Sequence, residues 1–203
     1  MNTRWMGEGA LLIDTPDAVS AQQLRLAILQ LAVTGIIELL PGYNSLLVEF
    51  DALGFDAEGF IRLLPGVLQS RKPELSSQEH EIPVRYDGQD LEEVAGISGL
   101  EPEEVIRRHS SAVYSVAFLG FAPGFPYMTG LDPALQVPRL KTPRTKVMAG
   151  AVAIAGEFAG IYPQATPGGW RILGHTDAVL FDARQTSPAR LSPGDRVRFR
   201  RQT

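Results

Sequence analysis

Apolar positions along the chain fall into two helical patterns near the start and mostly short strand-like runs later. Leu24, Ile28 and Leu31 recur at the spacing of one helix face, which predicts a helix over 21–33. Ser20 and Gln23 have the form of a capping box at its start, and Gly35 is a stop signal. Two strand-like runs follow, 36–40 and 45–50, joined by the turn residues Pro41, Gly42, Tyr43 and Asn44. A second helix is predicted over 56–68, with Phe60, Leu63, Leu64 and Val67 on one face and Gly59 and Pro65 working against it.

The polar stretch 69–81 breaks this pattern and is expected to link two domains, residues 1–76 and 77–203. Beyond it the pattern predicts a strand over 82–86 and short helices over 91–95 and 102–109, the first opened by Asp90 with Glu93, the second by Pro102. Strands are then predicted over 114–118, 147–155, 170–174, 178–181 and 196–200, with Pro193, Gly194 and Asp195 turning into the last one. From Gly120 to Gly174, 55 residues hold nine Gly and seven Pro. That density excludes long helices and favours short strands and tight turns. The chain therefore reads as a small α+β domain followed by a mostly β domain.

Composition narrows the function classes. The 203 residues carry 19 basic and 23 acidic side chains, a net charge of −4, which argues against nucleic acid as a partner. There is no cysteine, so disulfides, thiolate metal sites and a cysteine nucleophile are excluded. No apolar run approaches the length of a membrane span and no secretory signal is visible, so a cytoplasmic location without membrane attachment is expected. Phosphate-loop, dinucleotide and zinc-protease motifs are missing, and the separation of His80, His109 and His175 implies no metal site.

Three segments concentrate candidate chemistry. In the first, Phe118, Phe121, Phe125 and Tyr127 are threaded between glycines and prolines, suiting either the wall of a small-molecule pocket or a barrel-closing loop with its rings in the core. The second places Arg139, Lys141, Arg144 and Lys146 within eight residues, with Pro138 and Pro143 each preceding an arginine. Stiffened guanidinium groups suit a carboxylate or phosphate, and equally a solvated loop or a patch for an acidic partner. The third runs from Ile161 to Trp170 through Tyr162, Gly168 and Gly169, the glycine pair permitting positive φ and close approach to a ligand, or a tight barrel turn. His109 is a candidate general acid or base, although its place near a helix end also suits a structural role.

Taken in succession, these segments resemble one family. Gly120 to Tyr127, the Pro138-Arg139 and Pro143-Arg144 pairs, Ala153 to Gly156, Ile161 to Pro163, Pro167 to Trp170 and Pro193 to Phe199 are similar to the B-subunit family of bacterial 5-oxoprolinase. The family is also called allophanate hydrolase subunit 1 and includes Kip-type inhibitors of a sensor histidine kinase. The chain departs from its usual V-P-x-G-S at Val147 to Ala151 and from its usual G-R-T at Gly174 to Thr176. The resemblance implies an α+β fold, in which a small N-terminal α+β domain precedes a cyclophilin-like, mostly antiparallel β-barrel. It further implies a non-autonomous component that works with A and C subunits, the latter a homologous barrel, to cleave the lactam of 5-oxoproline to glutamate with ATP and magnesium. Kinase inhibition and allophanate or urea processing are the alternatives it carries. On this basis His109, Arg144 and Tyr162 are expected to be catalytic, and Phe121, Phe125, Arg139, Gly168, Gly169 and Trp170 to bind substrate.

Overall fold

The computed structural model describes residues 2–69 and 77–202. Two compact units emerge, Met1–Ser76 and Ser77–Thr203. The first is a four-stranded antiparallel sheet in the order β1-β2-β4-β3, formed by Thr3–Trp5, Ala10–Asp14, Ser45–Phe50 and Ile36–Pro41, with helices α1 (Ala18–Gln30) and α2 (Ala57–Gln69). Leu11 and Ile13, alternating along β2, pack with Leu46, Val48, Leu24, Ile28, Phe60 and Leu64. The pattern assigned no element to β1 and β2. The cap of α1 is Asp17 rather than Ser20: its carboxylate accepts the Ser20 N–H at 2.7 Å, so the helix starts three residues early and ends before the exposed Leu31. Asp56 does the same for α2, accepting the Gly59 N–H at 2.8 Å. Leu63, expected on the buried face of α2, is exposed.

The second unit is built on a seven-stranded mixed sheet in the order β12-β9-β10-β7-β6-β13-β5. Its strands are β5 (Glu79–Val84), β6 (Tyr114–Leu119), β7 (Pro126–Thr129), β9 (Ala151–Ala155), β10 (Phe158–Ile161), β12 (Arg171–His175) and β13 (Arg196–Arg201). All neighbours are antiparallel except β5 and β13. Just past β5, Arg85 pairs with His175 at the end of β12. Their amides exchange hydrogen bonds of 2.9 and 2.8 Å, and the Gly88 and Asp90 N–H groups donate to Leu173 and Ile172. The two ends of the sheet thus meet in a seam and the barrel closes. Of the polar stretch 69–81, Gln69 ends α2 and Glu79 already lies in β5, while 70–76 fall outside the described residues.

The predicted strand over 147–155 is two, β8 (Arg144–Val147) and β9, because Gly150 turns between them at φ 82°, where a Cβ would stand 2.2 Å from the Thr176 carbonyl oxygen. β8 instead pairs with β11 (Thr166–Gly168) as a separate two-stranded ribbon. The predicted strand over 178–181 reduces to one bridge, Phe181 with Ala189. Helices α3 (Leu91–Ser98) and α4 (Pro102–Ser111) add Leu91, Val94, Val105 and Ile106 to the main core.

All five residues of β9 are buried, but they serve two clusters. Val152 and Ile154 join the main core with Met128, Ile161, Leu173 and Phe199. Ala151, Ala153 and Ala155 face the other way, into a cluster with Phe125, Tyr162, Trp170 and Ile172. The alternation of a strand therefore persists, with large residues inside the barrel and methyl groups outside.

Candidate functional site

The candidate site lies over that outer face of β9 and β10. The alanines of β9 make a shallow floor, continued by Gly160, whose missing Cβ would stand 2.9 Å from both Phe125 and Trp170. Tyr162 and Trp170 meet Phe125 edge to face and Tyr127 meets it at a tilt. Phe125 lies 5.1 Å from Tyr162, 5.2 Å from Trp170 and 5.2 Å from Tyr127, centroid to centroid. Phe125 is held by a tight loop between β6 and β7, in which Gly120 N–H donates to the Phe125 carbonyl and Phe125 N–H to that of Ala122. At the tip of this loop Phe121 adopts φ 66°, in the left-handed region, and is 62% exposed. Its ring edge meets Phe125 at 5.5 Å and Tyr162 at 6.3 Å. A large non-glycine residue held in that conformation with its ring half in water is strain of the kind found at binding sites.

The basic strip and the glycine turn come together directly. β8 and β11 pair Arg144 with Gly168, the Leu140 N–H donates to the Gly169 carbonyl, and Arg171 Nε donates to that of Pro138. Gly168 and Gly169 do not adopt the positive φ expected of them. Glycine is needed at 168 because a Cβ there would lie 2.3 Å from the Tyr162 hydroxyl, so the close approach is to the protein's own phenol and not to a ligand. Burial raises the Tyr162 pKa, against smaller opposing pulls from the Trp170 backbone amide, Arg144 and Arg139. The phenol therefore stays protonated at neutral pH and remains a hydrogen-bond donor.

Arg144 is not free to hold an anion. Its Nη2 donates to Asp90 Oδ1 at 2.5 Å and its Nη1 to the Trp170 carbonyl at 3.3 Å. With the Gln89 amide turned to put its oxygen inward, that oxygen accepts from Arg144 Nε at 2.6 Å. Asp90 is almost fully buried, and its second oxygen accepts the Ile172 N–H at 2.7 Å. This carboxylate, read in the sequence only as a helix start, fastens the basic strip to the barrel seam. Arg139 is exposed and makes no ion pair among the described residues, yet its charge reaches both Tyr127 and Tyr162.

His109 is not brought to this site. It is fully buried in the main core, stacked on Phe199 at 4.7 Å, with Nδ1 2.8 Å from the Tyr86 hydroxyl and no partner for Nε2. Burial lowers its pKa to about 3. The other eight residues expected at the site do share this face. The sequence reading missed Asp90 and Gly160, whereas Tyr127 was already marked as a wall residue within the aromatic segment. The two departures from the family pattern, Ala151 and His175, are cross-strand neighbours. Among the described residues no group of three or more His, Asp or Glu is arranged to hold a metal ion, and no helix is long and apolar enough to cross a membrane.

Comparison with known proteins agrees with this architecture. Residues 1–191 match the family described as carboxyltransferase domain, subdomain C and D. The chain is 41% identical to the 5-oxoprolinase B subunit of Escherichia coli O157:H7, over 96% of this chain and 93% of that one. It is 38% identical to the 5-oxoprolinase B subunit of Haemophilus influenzae, over 98% and 97% respectively. Among solved structures, TTHA0988 superposes with a TM-score of 0.84 at 37% identity; the alignment covers this whole chain but 40% of the longer one. The urea amidolyase of K. lactis shares the fold, with a TM-score of 0.80 at 20% identity over 99% of this chain and 15% of that one. The chain thus belongs to the family of 5-oxoprolinase B subunits, within the carboxyltransferase C and D group.

Proposed function

We propose that this chain is the B subunit of a cytoplasmic, ATP-dependent 5-oxoprolinase, working with A and C subunits, the latter a second barrel, to open the lactam of 5-oxoproline to glutamate. The observation that carries this reading is the meeting of a protonated, buried phenol, an exposed guanidinium and an aromatic wall over one shallow floor. A five-membered lactam is a poor electrophile, and its ring also bears a carboxylate. A site for it must donate to the carbonyl oxygen, bind the carboxylate and exclude bulk water. Tyr162 suits the first task, Arg139 the second, and Phe121, Phe125, Tyr127 and Trp170 the third. Arg144, neutralised by Asp90, positions the strip that carries Arg139. His109, sealed in the core, takes no part.

Two features speak against the nucleotide at the helix starts and the glycine turn. Helices α3 and α4 open on Glu92, Glu93, Glu103 and Glu104, which repel phosphate, and Gly168 packs on Tyr162 and Gly169 beside Pro143 and Leu140. We therefore place ATP and its magnesium ion on a partner protein of the complex.

The test is reconstitution with the A and C subunits, following glutamate and ADP. The assembled enzyme should form both from 5-oxoproline. Tyr162→Phe should lower kcat by about a hundredfold, the usual cost of removing one donor to a developing oxyanion, whereas Arg139→Ala should act mainly on KM. An assembly that consumes allophanate but not 5-oxoproline would replace this reading with urea processing. Inhibition of a histidine kinase without turnover would replace it with regulation.

A further inference from the structure

The first unit carries most of the apolar surface that the fold leaves in water. Of the fourteen large hydrophobic residues that are exposed among the described residues, ten lie in Met1–Ser76. Four of these, Leu29, Leu31, Ile37 and Leu63, gather around the C-terminal end of α1 and are each half or more exposed. Two recesses adjoin there through Val33. One, of about 650 Å³, has Ala27, Leu31 and Val33 on one side and Leu63 and Gly66 on the other. The second, of about 290 Å³, runs from Leu29 and Val33 to Ile37. Residues 26–37 and 63–69 contain no charged side chain.

Gly66 has no internal reason to be glycine. A glycine inside a helix is less stable than alanine. The other glycine of α2 is forced, because a Cβ at Gly59 would stand 2.1 Å from the capping Asp56 carboxylate. A Cβ at Gly66 would meet nothing within 4 Å among the described residues, and its φ is not positive. The missing side chain therefore leaves room on the outside of the molecule, about one helical turn from the exposed Leu63.

We propose that this end of the first unit is an interface with a second copy of the chain, in which two α2 helices cross antiparallel about a two-fold axis and each Leu63 seats over the Gly66 of the other copy. A two-fold contact needs a knob and a hole on the same patch, and Leu63 and Gly66, which line one recess, supply them. The four exposed side chains leave on the order of 300 Å² of apolar surface before the recess walls are counted. A standard interface takes about 800 Å² from each partner, a little over half of it apolar, so this end can supply the apolar centre of one. The lack of charge at that centre suits self-association, since a foreign partner is ordinarily selected by complementary charge. The interface does not depend on the cyclic-amide site, whose residues all belong to the second unit.

Sedimentation equilibrium of the full chain should show a dimer at micromolar concentration. Leu63→Glu, at a position that is already wet, should fold normally and weaken the dimer about a hundredfold, because the substitution enters the contact twice. Gly66→Ala separates folding from association. Diluted until it is monomeric, this variant should unfold at higher urea than the native chain, while its dimer dissociates about tenfold more readily as two methyl groups crowd the crossing. A native chain that stays monomeric at hundred-micromolar concentration would overturn the inference. So would a dimer that neither substitution weakens, which would put the contact elsewhere. A chain that is monomeric alone, and that Leu63→Glu detaches from the A and C subunits, would assign this face to a different protein and overturn the self-association as well.

Discussion

Asp90 shows how one side chain can hold a site together without touching a guest. Its two oxygens bind the Arg144 guanidinium and the Ile172 N–H, so Asp90→Ala strands a half-buried cation and a buried amide together. The expected loss is about 3 kcal/mol, at the lower end for a broken buried pair because Arg144 keeps some exposure, and denaturant midpoints would measure it. His109 acts through protonation instead. With its pKa held at about 3 in the fold against an ordinary value of 6.5, the unfolded chain takes up a proton between those values that the folded chain refuses. Stability should therefore fall as pH drops through that window, by several kcal/mol at its lower end. His109→Phe fills the same space beside Phe199 and cannot be protonated. Its stability relative to the native chain should rise as pH goes from 7 to 4; parallel curves for the two proteins would contradict the assignment.

Among the elements, α1 depends on a cap supplied from outside its apolar repeat. Asp17→Ala removes the acceptor for the Ser20 N–H and should cost about 1 kcal/mol, with Ser20→Ala costing less; thermal melts of the two variants give the order. The sequence showed α1, α2, β4, α4 and β13 because each keeps one buried face and one wet face, so their periods survive in the residue pattern. It concealed β7 and β10, which are four residues long, and merged β8 with β9. In β9 both faces are buried, and Ala-Val-Ala-Ile-Ala contains no polar position to mark alternation. The site was legible as three segments, since aromatic, basic and Gly/Pro-rich stretches stand out by composition. What they contact was not. The ion pair of Arg144 lies 54 residues away in Asp90, and the neighbour that makes Gly168 obligatory is a phenol from outside its own ribbon.

At the scale of the barrel, closure is uneven. Long ladders join β5 to β13 and β9 to β10, whereas the backbone ladder across the seam, among the described residues, runs only through Arg85, Gly88 and Asp90. Amide hydrogen exchange should be faster at Arg85, Gly88 and His175 than at Ala153 and Ile154, and equal protection across both sets would argue for a uniformly rigid ring. The division of labour within β9 has a wider consequence. Its inward side chains lock the barrel, while its outward methyl groups set the headroom beneath the aromatic rings. A valine at 151, 153 or 155 would push on the Phe125, Tyr162 and Trp170 rings and leave the packing inside the barrel as it is. The lie of the aromatic wall can thus be altered from a single strand, with the cost to stability confined to one side of it.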